Sequence, residues 1–195
     1  MAKSKTNSNN QLRIIAGKWR GRKLTFPDVD GLRPTPDRVR ETVFNWLQPY
    51  LAYAHCLDLF AGSGALGLEA ASRGAEQVVM VEQNSLASKH LLAHCSLLAA
   101  EHCQVEAKSA QQFLASNTRQ FEIIFIDPPY QVNLWTEVAQ QLEQTGAVAD
   151  NAIIYLECPS KGDLPDLPSH WLMIKDKKAG EVRYCLFRNE KGEQF

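Results

Sequence analysis

At 195 residues the chain has room for one well-packed domain with a short appendage, and no room for two full domains. Hydrophobic residues make up 45% and charged residues 22%, the balance of an ordinary globular protein in water. No apolar run approaches the ~20 residues that a bilayer-spanning helix needs, and the polar start MAKSKTNSNN lacks the apolar core of a secretory signal. A cytoplasmic protein is expected, monomeric and without a membrane anchor. The five cysteines, Cys56, Cys95, Cys103, Cys158 and Cys185, are scattered, with no Cys-x-x-Cys pair, which argues against a disulfide framework or a Cys-rich zinc site. The net charge of −1 hides an asymmetry, because residues 1–40 carry ten Lys and Arg against three Asp and Glu. A basic arm on an acidic body suits a protein that meets a polyanion at one end.

In chain order, residues 1–10 read as a disordered basic tail. Residues 11–30 follow as a β-hairpin, with β-rich segments at Arg13 to Ala16 and Arg22 to Phe26 flanking the turn GKWRG. That hairpin carries Arg13, Lys18, Arg20, Arg22 and Lys23, with Trp19 expected at its tip. Cations interleaved with an exposed aromatic suit phosphate contact and base stacking, so these residues are candidates for nucleic-acid binding. Residues 31–195 then form the main domain. It opens with GLRPTPDRVRETVFNWLQPY, a helix capped near Thr35 or Asp37 and stopped near Pro49. Arg33, Arg38 and Arg40 in this segment fit either RNA phosphate or a cofactor carboxylate.

Apolar strands at His55 to Phe60, Gln77 to Val81, Cys103 to Ala107, Ile123 to Ile126 and Ala152 to Glu157 alternate with helical patterns. That rhythm predicts an α/β, doubly wound and mainly parallel sheet. The segment HWLMIKDKKAGEVRYCLFRN reads as strand, turn, strand, an antiparallel hairpin finishing the sheet.

Gly62, Gly64 and Gly67 form a G-x-G-x-x-G between the first strand of that sheet and its helix, where a ligand can approach the backbone closely. Glu82 ends the next strand and is placed to accept hydrogen bonds from two ribose hydroxyls. Both features fit a nicotinamide cofactor and S-adenosylmethionine equally. Asp58, four residues before Gly62, separates them: a carboxylate there repels a pyrophosphate and suits a ligand bearing an ammonium and a sulfonium.

The stretch FEIIFIDPPYQVN runs a buried strand into Asp127, Pro128, Pro129 and Tyr130. The prolines stop the ladder and stiffen the rim. An exocyclic amino nitrogen on a nucleobase is flat and poorly nucleophilic. If Asp127 and the Pro128 carbonyl each accept one N–H, the lone pair is aimed at a methyl donor, and acceptors fixed beforehand cost no reorganisation. Tyr130 can stack on a base swung out of its helix or loop. This transfer has no task for a metal. The pair His90 and His94, near His102 and Cys103, lacks an acidic partner that would complete a zinc motif.

DLFAGSG on the first strand, Glu82 on the second and DPPY on the fourth together resemble the motif set of class I Rossmann-like methyltransferases acting on amino nitrogens. The stretches RIIAGKWRGRKL, GLRPTPDRVRETVFNWL and CLDLFAGSGALGLEAASRG resemble the RsmD family, bacterial 16S ribosomal RNA (guanine-N2)-methyltransferases that modify guanine-966. The resemblance implies a seven-stranded sheet with an added N-terminal hairpin and S-adenosylmethionine as the cofactor. It implies 16S rRNA in the assembled small ribosomal subunit as partner. It also implies Asp58, Ala61, Gly62, Gly64, Glu82, Ser109, Ala110 and Asp127 around the cofactor, with Ser109 and Ala110 where the family's fold often has an acid or Asn followed by a small residue. Two rivals remain: methylation of DNA adenine or of a protein glutamine amide, and a non-catalytic rRNA-binding assembly factor. A DNA enzyme would be expected to carry a sizeable target-recognition domain, for which this chain has no room, and the second rival does not explain an intact Asp58, Glu82 and Asp127.

Overall fold

The computed structural model describes residues 10–27 and 35–191. The expected basic tail falls almost wholly outside these residues, as does Arg33. Strands β1 (Asn10–Arg13) and β2 (Lys23–Phe26) pair antiparallel, with Leu12 opposite Leu24. Helix α1 (Asp37–Leu51) follows, then β3 (His55–Asp58), α2 (Gly67–Ser72), β4 (Gln77–Val81), α3 (Ser85–Leu97) and β5 (Cys103–Glu106). Helix α4 (Ala110–Ser116), β6 (Phe121–Ile126), α5 (Trp135–Gln144), β7 (Val148–Pro159), β8 (Trp171–Ala179) and β9 (Val182–Asn189) complete the chain. The main sheet has seven strands in the order β5-β4-β3-β6-β7-β9-β8. Its first five strands in that order run parallel, and β9 lies antiparallel between β7 and β8. This is the expected Rossmann-like architecture with its C-terminal hairpin.

Both faces of the sheet are covered, which explains the near-continuous apolar strands. Alternate residues of β6 divide between two cores: Ile123 and Phe125 pack with α1 to α3, while Ile124 and Ile126 pack with α4 and α5. Phe44 of α1 is fully buried, its ring centroid 6.0 Å from that of Phe125. A buried side chain of this size contributes about 1.5–3 kcal/mol. Pro49 does not stop α1, which runs to Leu51 with Pro49 inside it. The carbonyl that loses its partner belongs to Asn45, and both residues are exposed, so water can satisfy it.

The N-terminal hairpin differs most from expectation. Its first strand ends at Arg13, where the sequence pattern would carry it to Ala16. Ile14 N–H still donates to Arg22 O at 3.0 Å, but the chain then leaves the ladder because Ile15 and Ala16 donate to the buried carboxylate of Glu69 on α2, at 2.8 and 3.0 Å. Gly17, at φ +81°, presses so close that a Cβ there would lie 1.8 Å from Ser72 O. Leu12, Ile14, Trp19, Leu24 and Phe26 belong to the core shared with α1 to α3. The hairpin is thus welded to the main fold by apolar contact and by a buried polar network.

Candidate active site

Strand order places the site. In the sequence of neighbours β4, β3, β6, β7, the residues at or just past the carboxyl ends are Glu82, Asp58, Asp127 and Glu157. Parallel register aligns them: Asp58 lies opposite Met80 and Phe125, and Ile126 opposite Leu156. The order reverses between β3 and β6, the crevice where open α/β sheets bind ligands. Among the described residues no Lys, Arg or His nitrogen pairs with any of these four carboxylates.

Asp58 is 1% exposed, and its Oδ2 accepts the Gly67 N–H at 2.9 Å. Burial above all, helped by the Glu82 charge, pushes its carboxyl up to about 7 against two backbone hydrogen bonds, from Gly67 and Phe60. Gly67 admits this contact because a Cβ would collide with Met80 of β4 at 2.6 Å. Glu82 braces the other side of the loop, with Gly62 N–H on Oε2 at 2.8 Å and Asn84 N–H on Oε1 at 2.6 Å. Each oxygen keeps a free lone pair, so ribose hydroxyls remain acceptable partners. Gly62 and Gly64 have φ of 51° and 82°, and Gly64 N–H closes a tight turn on Ala61 O at 2.7 Å. Ala61 and Ala110 are buried. Ser109 caps α4: its Oγ accepts from Gln112 N–H at 3.2 Å, while its own N–H donates to the Gln112 side chain at 3.1 Å. That commits one lone pair of Ser109 to the helix and leaves its hydroxyl proton for a ligand.

On the other side of the crevice, burial, then the charges of Glu157 and Asp58, hold the Asp127 carboxyl well above the usual range. Pro128 is buried and Pro129 exposed. Val132 N–H bonds to Pro129 O at 3.1 Å, closing the single 3-10 turn Tyr130–Val132. Tyr130 is half-buried. Its hydroxyl donates to Glu157 Oε1 at 3.3 Å, and its ring centroid lies 5.9 Å from that of Trp135. Glu157 was not singled out in the sequence, yet it is 6% exposed and also accepts from Tyr155 OH at 2.7 Å. Burial raises its carboxyl. The signal was there: AIIYLECP is a strand that ends in an acid, as FEIIFID is.

The expected nucleic-acid residues divide into two groups. Arg13, Lys18, Arg20, Arg22, Lys23 and Arg38 are exposed, Arg13 pairing with Asp37 at 3.2 Å. Two expectations are corrected. Trp19 is 5% exposed, not a free tip: its ring stacks on His102 with centroids 5.8 Å apart, and its backbone N–H donates to Ser72 Oγ at 3.0 Å. Arg40 is 1% exposed and faces neither RNA nor cofactor. Its guanidinium donates to Asp37 at 2.6 Å and Arg13 O at 2.8 Å, and stands 3.7 Å from Glu69. Glu69, fully buried, also pairs with Arg73 at 2.7 Å. The turn Gly17 to Gly21 therefore rests against the last residue of α2 and against His102 just before β5, at the amino ends of the strands. Asp127 lies at the opposite end. His94 bonds through Nε2 to Thr25 O at 2.9 Å, tying α3 to β2. No group of three His, Cys, Asp or Glu suited to a metal occurs among the described residues.

A family model described as conserved hypothetical protein 95 matches residues 12–188. The ribosomal RNA small subunit methyltransferase D of Escherichia coli K12 is 45% identical over 190 residues, covering 97% of this chain and 96% of that relative. The chain belongs to the RsmD family. The Haemophilus influenzae relative of the same name is 41% identical, covering 94% of this chain and 96% of its own. A solved structure of a putative methyltransferase from Escherichia coli superposes with a TM-score of 0.88 at 44% identity, covering 94% of this chain and all of that one. The stretch CLDLFAGSGALGLEAASRG lies where the carboxylates and the glycine loop meet, and methyl transfer is the chemistry of this family.

Proposed function

We propose that the chain transfers a methyl group from S-adenosylmethionine to the exocyclic N2 amino group of a guanine in 16S rRNA. The guanine is guanine-966, presented in the assembled small subunit. The observation that carries this reading is the row of four carboxylates without a basic partner among the described residues, set beside a glycine loop with room for close approach. Such a site suits a cationic ligand free of phosphate. The names of the relatives at 45% and 41% identity support rRNA as the substrate.

When bound, S-adenosylmethionine supplies an electrophilic methyl on a positively charged sulfur. Glu82 would take the ribose hydroxyls with its free lone pairs, and Asp58 the ammonium. Gly62 and Gly64 keep side chains out of the way, Ala61 shapes the loop, and Ser109 and Ala110 would border the adenine. Asp127 and the Pro128 carbonyl accept the two amino protons of guanine, holding its nitrogen with the lone pair turned toward the donor. Tyr130 flanks the base. The product amine is strongly acidic, so Asp127 acts mainly as an acceptor and orienter. The proton leaves toward solvent or the carboxylate pair. Arg13, Lys18, Arg20, Arg22, Lys23 and Arg38 supply exposed positive charge for RNA phosphates.

The test is transfer of labelled methyl to small subunits that lack the modification, with free rRNA and DNA in parallel, followed by mapping of the modified nucleotide. Label at one guanine of the subunit is expected. Label in DNA alone, or in none of the three, would remove the proposal.

A further inference from the structure

Glu157 stands at the carboxyl end of β7, one register step past the Ile126–Leu156 pair, which brings it beside Asp127. Its surroundings are unusual for an acid. Tyr130 OH reaches Oε1 at 3.3 Å, Tyr155 OH reaches Oε2 at 2.7 Å, and Trp135 Nε1 donates to its backbone oxygen at 2.7 Å. From β9 the residue in register is Tyr184, and the nearest basic group, Arg183, lies opposite Cys158. From β6 the facing group is Asp127, with Asp58 of β3 beyond it. Among the described residues every titratable neighbour is thus a phenol, a thiol or another acid, apart from a guanidinium already held in two bonds to Asp176 at 2.7 and 2.9 Å.

A buried carboxylate that merely stabilised the fold would be expected to carry a basic partner, because leaving one without costs several kcal/mol. This one is instead linked by a hydroxyl to the aromatic ring of the Asp-Pro-Pro-Tyr rim. We propose that Glu157 is a positioning residue for methyl transfer, holding Tyr130 in place through its hydroxyl and setting a second carboxyl beside Asp127. The proposal rests on Asp127 being the acceptor for the target amine. Burial and this neighbour together raise the Asp127 carboxyl, and Glu157 is raised in turn, so the two share protons as a unit. Positive charge entering the crevice favours the ionised form of both carboxyls, which ties readiness of Asp127 to occupancy by a cationic donor.

The test compares Glu157→Gln, Tyr130→Phe and the double variant in the full chain. Glu157→Gln keeps one acceptor oxygen, puts in place of the other an NH2 that can only donate to a tyrosine hydroxyl oxygen, and removes the ionisable carboxyl. It is expected to lower kcat about 5- to 10-fold, the gap between charged and neutral hydrogen bonds, with little change in KM or donor affinity. Because Glu157 raises Asp127, its neutralisation should move the acid limb of the kcat profile to lower pH. Tyr130→Phe should lower kcat without moving that limb, and the double variant should match Glu157→Gln in pH and fall short of additivity in kcat. A readout free of catalysis is the Asp127 carboxyl titration followed by carbon NMR, whose midpoint should fall in Glu157→Gln. An unchanged midpoint and an unchanged pH limb would overturn the proposal, as would a loss confined to melting temperature. Full activity in Asp127→Ala would instead sink the underlying acceptor role, and the NMR midpoint would still report on Glu157.

Discussion

Glu82 and Gly62, twenty positions apart in sequence, are joined by a 2.8 Å hydrogen bond from the Gly62 N–H to Oε2. The acid that the pattern assigns to ribose hydroxyls therefore also shapes the glycine loop. Replacing it by Ala should weaken S-adenosylmethionine binding by about 1.5–3 kcal/mol, and should also lower the melting temperature because two loop N–H groups lose their acceptor. Calorimetry on the folded variant checks the first effect and thermal melting the second. NADH should not compete in wild type.

Asp58 predicts a pH dependence of donor binding. With its carboxyl pushed up to about 7, the free protein carries it largely protonated below that pH. A bound cation favours the charged form, so binding below pH 7 should release a proton and weaken as pH falls. Above pH 8 affinity should be flat. Calorimetry in buffers of different ionisation enthalpy measures the released proton. Asp58→Asn should reduce the release to whatever Asp127 and Glu157 contribute, and bind more weakly at pH 8.

Asp127→Ala removes a preorganised acceptor and should cost roughly 10² to 10³ in kcat while donor affinity stays near wild type. Single-turnover methyl transfer on the small subunit, paired with equilibrium donor binding, separates the two quantities. A parallel loss of both would assign Asp127 to the cofactor alone.

Two kinds of change in the hairpin should behave oppositely. Trp19→Ala empties a core position and should cost about 3–5 kcal/mol of stability. Changing Lys18, Arg20 and Arg22 to Gln leaves the core alone, so melting should hold. The slope of log K against log salt for rRNA binding should flatten by about 2, at roughly 0.7 per lost phosphate contact. Deleting residues 1–24 is a poor substitute, because it strips Glu69 of the Ile15 and Ala16 donors and opens the core around α2.

The elements that carry strong local signals were legible in the sequence: the alternating strands and helices, the glycine loop, the carboxylates closing β3, β4 and β6. Each depends on neighbours within a few positions. Arg40 and Trp19 were misread because cation and aromatic look alike on paper whether buried or exposed. Their burial is decided by Glu69, Ser72 and His102, which lie some thirty to eighty positions away. Glu157 was passed over for a similar reason. A lone acid in a strand reads as solvent-facing until the parallel register sets it against Asp127.

The docking of the Gly17–Gly21 turn on α2 has a geometric corollary. A nucleobase held at Asp127 and a phosphate held at Lys18 or Arg20 are separated by at least the height of the sheet, and the four residues of β3 alone span about 13 Å. On the proposed reading the two ends act as the jaws of a caliper. A mononucleotide at Asp127 leaves the far jaw empty and gains none of its charge attraction. An RNA long enough to cover that distance can reach both, so the spacing sets a minimum span for a substrate that uses the hairpin cations.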